Sequence, residues 1–187
     1  KTVLFISVLD KFHEFKGLDR LLMAMVDVVK EVPKAKLIVG GEGDLLSRYK
    51  KMATSVGLES HAEFLGYVPE DEIARLYNRC DLFVLPSISA SQETFGMVLL
   101  EAMACARPVV STEIVGVAEE VKQHGAGLIV QSRDERALAG AIIKLLKDED
   151  LRLRMGAAGR TLAKRKYSWS QVALKTEALY EGLIKEE

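Results

Sequence analysis

Leu82-Phe-Val-Leu-Pro-Ser-Ile-Ser-Ala-Ser-Gln-Glu-Thr-Phe-Gly-Met-Val-Leu-Leu-Glu-Ala-Met-Ala-Cys105, with Pro108-Val-Val-Ser111 just beyond it, decides the fold. A continuous apolar run ends at Pro86, a loop of small polar residues follows, and a helix begins near Gly96. A second apolar run then closes the unit. Apolar runs without alternation read as strands buried on both faces of a parallel sheet. Working outward, residues 2–9, 35–39 and 62–66 before this segment and 127–130 after it read as further strands. Helical patterns separate them. Leu18, Leu21, Leu22, Met25, Val28, Val29 and Val32 recur at helical spacing, as do Leu45, Leu46, Tyr49, Met52 and Val56. Further helices are expected over 70–78 with Pro69 in the first turn, over 97–105, around Glu119 and over 134–147. After Lys147 the strands stop. Two long helices, 151–166 and 168–185, complete the chain, the second opened by a Ser168-x-x-Gln171 capping box. The expectation is α/β: one domain over 1–187, a doubly wound parallel sheet of about six strands with helices on both faces, and a helical tail over 150–187.

The 187 residues suffice for one domain with a sizeable core. Hydrophobic residues make up 49% and charged residues 28%, the balance of a soluble globular protein. Lys plus Arg number 26 against 27 Asp plus Glu, a net charge of −1, which argues against a nucleic-acid partner. No apolar run approaches the roughly 20 residues that span a bilayer. Cys80 and Cys105 are too few for a disulfide framework, lack metal-ligand spacing and read as buried thiols of a reducing cytoplasm. The chain starts without Met and enters a strand almost at once, so it reads as a piece whose upstream part is missing.

In doubly wound sheets ligands bind beyond the carboxyl ends of the strands, where strand order reverses. The loop after the first strand, Asp10-Lys-Phe-His-Glu-Phe-Lys-Gly17, carries Lys11 and Lys16 just ahead of a helix. Ammonium groups beside a helix start suit a phosphate, although a solvated charged loop reads the same way. His13 is expected to be an exposed or hydrogen-bonded loop histidine. The loop after the second strand, Gly40-Gly-Glu-Gly-Asp44, fails the dinucleotide fingerprint because Leu46 stands where the last glycine belongs. Gly41 and Gly43 still permit close backbone approach to a ligand, or simply a tight turn. The helix over 97–105 is apolar except at Glu101, which predicts a buried helix and a buried carboxylate in need of a partner. Glu93 stands just before that helix, where the amides of Phe95, Gly96 and Met97 are free to bind an anion. One segment thus offers two carboxylates for sugar hydroxyls and amides for phosphate. The plainer alternative pairs Glu101 with Arg107 and leaves Glu93 at the surface.

Glu93 and Glu101 are separated by seven residues, with Phe95-Gly96 after the first and Ala-Met-Ala after the second. This resembles the E-x7-E signature of the retaining glycosyltransferases of the GT-B fold. Lys11-Phe-His-Glu-Phe-Lys16-Gly17 is similar to that family's basic-residue-x4-Lys-Gly element, and Phe64-Leu-Gly66, Asp81-Leu-Phe-Val-Leu-Pro-Ser87 and Pro108-Val-Val fall in its usual order. The resemblance implies a Rossmann-like half of a GT-B fold that binds a nucleotide-diphosphate sugar and faces an N-terminal acceptor domain absent from this chain. It implies that Lys11, Lys16 and the amides of Thr94, Phe95, Gly96 and Met97 stabilise the departing diphosphate. Glu93 would hold sugar hydroxyls, Glu101 the ribose, and Tyr67 and Val68 would lie near the base. Many relatives have Arg where this chain has Lys11, which removes a bidentate grip. No metal and no cofactor are implied. The location implied is the cytoplasm, with any contact to the inner face of the membrane left to the absent part. The rival readings are a non-catalytic nucleotide-binding or regulatory module, a phosphorylase without a recognisable pyridoxal-phosphate lysine, and a nucleotide-sugar epimerase.

Overall fold

The computed structural model describes residues 1–185. Six strands form one sheet: β1 (Thr2–Ile6), β2 (Lys36–Gly40), β3 (Ala62–Gly66), β4 (Leu82–Leu85), β5 (Val109–Thr112) and β6 (Gly127–Val130). Their spatial order is β3-β2-β1-β4-β5-β6, and every neighbouring pair is parallel. The helices are α1 (Leu18–Glu31), α2 (Leu46–Ser55), α3 (Glu70–Arg79), α4 (Met97–Ala104), α5 (Ala118–Gln123), α6 (Glu135–Lys147), α7 (Glu149–Lys166) and α8 (Trp169–Lys185). No helix among the described residues is long and apolar enough to cross a membrane.

Side chains alternate across each strand, so the sheet divides two cores. Val3, Phe5, Leu82 and Val84 pack with Leu21 and Met25 of α1 and Ile142 of α6. Leu4, Phe83, Leu85 and Val109 pack on the other side with Leu99 and Met103 of α4 and Leu162 of α7. Each fully buried aliphatic or aromatic side chain contributes roughly 1.5–3 kcal/mol. The expected doubly wound architecture is present. β3 departs from the buried pattern because it is an edge: Glu63 and Leu65 face solvent.

Local chemistry sets the helix ends. Asp134 caps α6 by accepting from the Ala137 amide at 2.8 Å, and Asp148 caps α7 through the Leu151 amide at 2.8 Å. The turn between α6 and α7 is further closed by buried Arg152, whose Nη1 donates to the carbonyls of Leu145 and Leu146 at 2.7 and 3.1 Å. At the start of α8, Ser168 Oγ accepts from the Gln171 amide at 3.4 Å, the first half of the expected box. β1 ends at Ile6 instead of continuing to Leu9, and residues Lys11–Lys16 wind into a 3₁₀ turn where an irregular loop was expected.

Candidate functional site

Strand order reverses between β1 and β4, and the loops that leave their carboxyl ends meet there. Asp10 caps the 3₁₀ turn, accepting from the His13 amide at 2.9 Å with His13 Nδ1 at 2.7 Å. Those contacts with His13 hold the Asp10 carboxyl below its usual range. Gly17 ends the turn at φ 77°, where an added Cβ would stand 2.1 Å from the Pro86 carbonyl oxygen. The Ile88 amide donates to the Phe15 carbonyl at 2.8 Å. Glycine and this bond pin the turn to the loop after β4.

That docking brings Lys16 to Glu93. Lys16 Nζ donates to Glu93 Oε2 at 2.7 Å, and buried Ser87 Oγ donates to the same oxygen at 2.8 Å. Glu93 is only 4% exposed, so its reading as a surface residue is overturned. Its other oxygen, Oε1, accepts no hydrogen bond among the described residues. Lys11 is exposed and makes no hydrogen bond or ion pair among them. One lysine is held and the other is loose.

Gly96 opens α4 at φ 87°, where a Cβ would meet Val115 at 2.5 Å. The amides of Thr94, Phe95, Gly96 and Met97 find no acceptor among the described residues. Gly116 lets the Thr94 carbonyl come close, and the Val117 amide donates to the Phe95 carbonyl at 3.2 Å. Four free amides thus gather at the positive end of the α4 dipole, an arrangement suited to an anion.

Glu101 was expected to be buried, and the structure corrects that. It is exposed, because α4 turns Leu99, Ala102 and Met103 inward and leaves Met97, Glu101 and Ala104 outside. Its partner is Tyr77, whose hydroxyl donates to Glu101 Oε2 at 2.9 Å, while Arg107 donates instead to the Cys80 carbonyl at 3.1 Å. Burial, with the Glu101 charge beside it, pushes the Tyr77 hydroxyl well above its usual range, so it stays a donor. Glu101 borders two hollows: one of about 340 Å³ with Glu70, Ile73 and Tyr77, and one of about 470 Å³ with Phe95, Tyr167 and Trp169.

Gly41 and Gly43 have φ of 129° and 154°, and a Cβ there would meet the carbonyl oxygens of Ser7 and Leu9 at 1.8 and 2.3 Å. Their close approach is therefore to the segment after β1. Hydrogen bonds from Leu9 to Glu42 at 2.8 Å and from Leu45 to Leu9 at 2.9 Å complete that seam. Tyr67 and Val68 follow β3, with the Tyr67 ring exposed. Two strand spacings separate β3 from β1, roughly 10 Å, so these residues stand apart from the Lys16–Glu93 pair. Both cysteines are free: Cys80 is buried, which pushes its thiol up to about 12, and Cys105 is only half-buried. Among the described residues no group of three or more His, Cys, Asp or Glu is placed to hold a metal ion.

Sequence reasoning missed Ser87, Tyr77 and Tyr167. Ser87 had one visible signal, a small hydroxyl at the carboxyl end of a buried strand. Tyr167 stacks edge-on against Phe95 with centroids 5.6 Å apart and, together with Lys166, donates to Glu120.

The chain is 32% identical over 171 residues to a GDP-mannose-dependent alpha-(1-6)-phosphatidylinositol monomannoside mannosyltransferase of Mycobacterium tuberculosis. That alignment covers 89% of this chain and 44% of the relative, so the chain spans less than half the length of this protein. Its structure matches sucrose-phosphate synthase from Thermosynechococcus elongatus with a TM-score of 0.83 and 27% identity, over 100% of this chain and 46% of the other. An Anabaena protein crystallised with UDP-glucose matches with a TM-score of 0.81 and 26% identity, over 96% and 48%. The family model described as glycosyl transferases group 1 matches residues 1–162, which takes in every strand and the loops that carry Lys16, Glu93 and the α4 amides: the chain belongs to that family.

Proposed function

We propose that this chain binds the donor for a retaining hexosyl transfer from a UDP- or GDP-sugar to a glycan, lipid or small-molecule acceptor. The observation that carries the reading is the meeting of Lys16, Glu93 and four free amides where strand order reverses. The mycobacterial relative is named for GDP-mannose and the Anabaena structure holds UDP-glucose, which supports a nucleotide-sugar donor. The diphosphate would lie against the amides of Thr94, Phe95, Gly96 and Met97 with Lys11 and Lys16 beside it. Glu93 would take sugar hydroxyls through Oε1, Glu101 the ribose, and the loop of Tyr67 and Val68 the base. Gly41 and Gly43 would serve by shaping the seam that this ligand crosses.

In the reaction the bond from the sugar C1 to the diphosphate oxygen breaks as the bond from the acceptor oxygen to C1 forms. The acceptor proton passes to the departing phosphate oxygen on the same face, which retains configuration. Negative charge grows on the diphosphate, and each preorganised donor aimed at it is worth about 2.7–4 kcal/mol. Lysines and helix amides fill the role a metal cation plays elsewhere, and no cofactor takes part. Glu93 positions the sugar, with Oε2 held by Lys16 and Ser87, and forms no covalent bond to it in this scheme. The acceptor would bind to a part of the protein outside residues 1–187, and the exposed apolar face of α8 would pack against that part. Residues 1–187 alone would bind donor and transfer nothing.

Calorimetry with UDP-glucose, GDP-mannose, UDP and GDP, with and without Mg²⁺, tests the reading. Expected is binding of one base series, unchanged by Mg²⁺ and weakened by Glu101→Ala. No binding of any of the four would remove it.

A further inference from the structure

Two donors, Lys16 Nζ and Ser87 Oγ, converge on one oxygen of Glu93 and leave the other without a partner among the described residues. Ser87 is itself fixed from behind. Its carbonyl accepts from Thr112 Oγ1 at 2.8 Å and from Ser132 Oγ at 3.4 Å, so β5 and the segment after β6 both brace it. Ser111 Oγ adds a bond to the Leu85 carbonyl at 2.8 Å two residues earlier. Ser87, Ser111 and Thr112 are all buried, and a buried hydroxyl on a braced backbone that donates to a fixed carboxylate has little freedom to leave its rotamer.

We infer that Ser87, braced by Thr112, is a positioning residue that occupies Glu93 Oε2 so that Oε1 alone is presented to the sugar of a nucleotide-sugar donor. The inference rests on the donor-site reading above and adds to it the residue that gives the site preference for the sugar over the bare nucleotide. Lys16 alone would not serve. A flexible ammonium turns to follow either carboxylate oxygen or a phosphate, whereas a buried hydroxyl on a short side chain and a braced backbone does not. Free nucleotide has no group for Oε1, so its affinity is independent of how that carboxylate is turned.

The test compares affinities of the 187-residue chain for each sugar nucleotide and its parent diphosphate, UDP-glucose against UDP and GDP-mannose against GDP. Ser87→Ala is expected to lower the sugar-nucleotide affinity roughly tenfold, the scale of one hydrogen bond to a charged group, with diphosphate affinity within about twofold. Ser87→Cys, a weaker donor of similar size, is expected to fall between. Thr112→Val keeps its volume and removes one brace, and serves as the second variant if Ser87→Ala does not fold; a partial loss of the same ratio is expected. A merely structural Ser87 would weaken both ligands alike, and that outcome overturns the inference, as does an unchanged ratio. A wild-type chain that binds diphosphates but prefers no sugar nucleotide overturns it while leaving a nucleotide site. A wild-type chain that binds none of the four removes the donor-site reading and this inference together.

Discussion

Lys11 and Lys16 lie in one turn with the same charge, but only Lys16 has a buried partner. Removing one member of a buried ion pair costs about 3–5 kcal/mol, and partial exposure of Lys16 reduces this to about 2–3. Lys16→Met is therefore expected to destabilise the fold by that amount in urea unfolding. Lys11→Met should stay within about 0.5 kcal/mol. Equal losses would show that the Glu93 pair contributes nothing to folding. Both substitutions should weaken diphosphate binding. The spacing of Glu93 and Glu101 was legible in the sequence, whereas the burial expected of Glu101 falls on Glu93 instead. An all-apolar helix suggested a buried Glu101, yet α4 is short and one of its faces borders a groove.

At the scale of elements, α7 lies on α4 through glycines. A Cβ at Gly156 would come within 2.2 Å of the Ala106 carbonyl oxygen, whereas one at Gly140 in α6 would meet nothing within 4 Å. Gly156→Ala should thus cost about 1–3 kcal/mol by forcing α7 away, and Gly140→Ala should stabilise by about 0.5–1 kcal/mol through helix propensity. Thermal unfolding of the two variants decides this, and shifts of the same sign would contradict the packing. A second element contact carries a pH signature. Arg20 of α1 donates to Glu135 of α6 at 2.7 Å, and that bond holds the Glu135 carboxyl below its ordinary value of 4.5. A carboxyl depressed in the folded state stabilises fully above its unfolded value and ceases to do so as pH falls through the folded one. The stability gap between wild type and Glu135→Gln should be open at pH 6 and close below about 4.5. Both side chains are about a third exposed, so the gap is expected to be under about 1 kcal/mol. A gap that stays constant to pH 3 would assign it to packing.

Across the whole molecule, α8 is the element least tied to the rest. Residues 172–184 are all exposed, including Leu179, Tyr180, Leu183 and Ile184, and Trp169 is 82% exposed. Deleting residues 169–187 is expected to move Tm by less than about 2 °C and to reduce self-association in sedimentation velocity, because an uncovered apolar stripe favours association. A fall of more than about 5 °C would show that α8 supports the core. The strand and helix order was readable from the chain alone, since apolar runs and helical spacing are local properties and each element carries its own signal. The six strands and the loops that bear Lys16, Glu93 and the α4 amides followed from that order, whereas the point where strand order reverses was fixed only by the sheet. What the tertiary structure alone decided was which carboxylate is buried, which lysine it pairs with, and that Ser87 holds it. Lys16 and Glu93 are 77 residues apart, and Thr112 reaches Ser87 across 25. Desolvation and pairing depend on neighbours brought together by the sheet, and no periodicity along the chain encodes them.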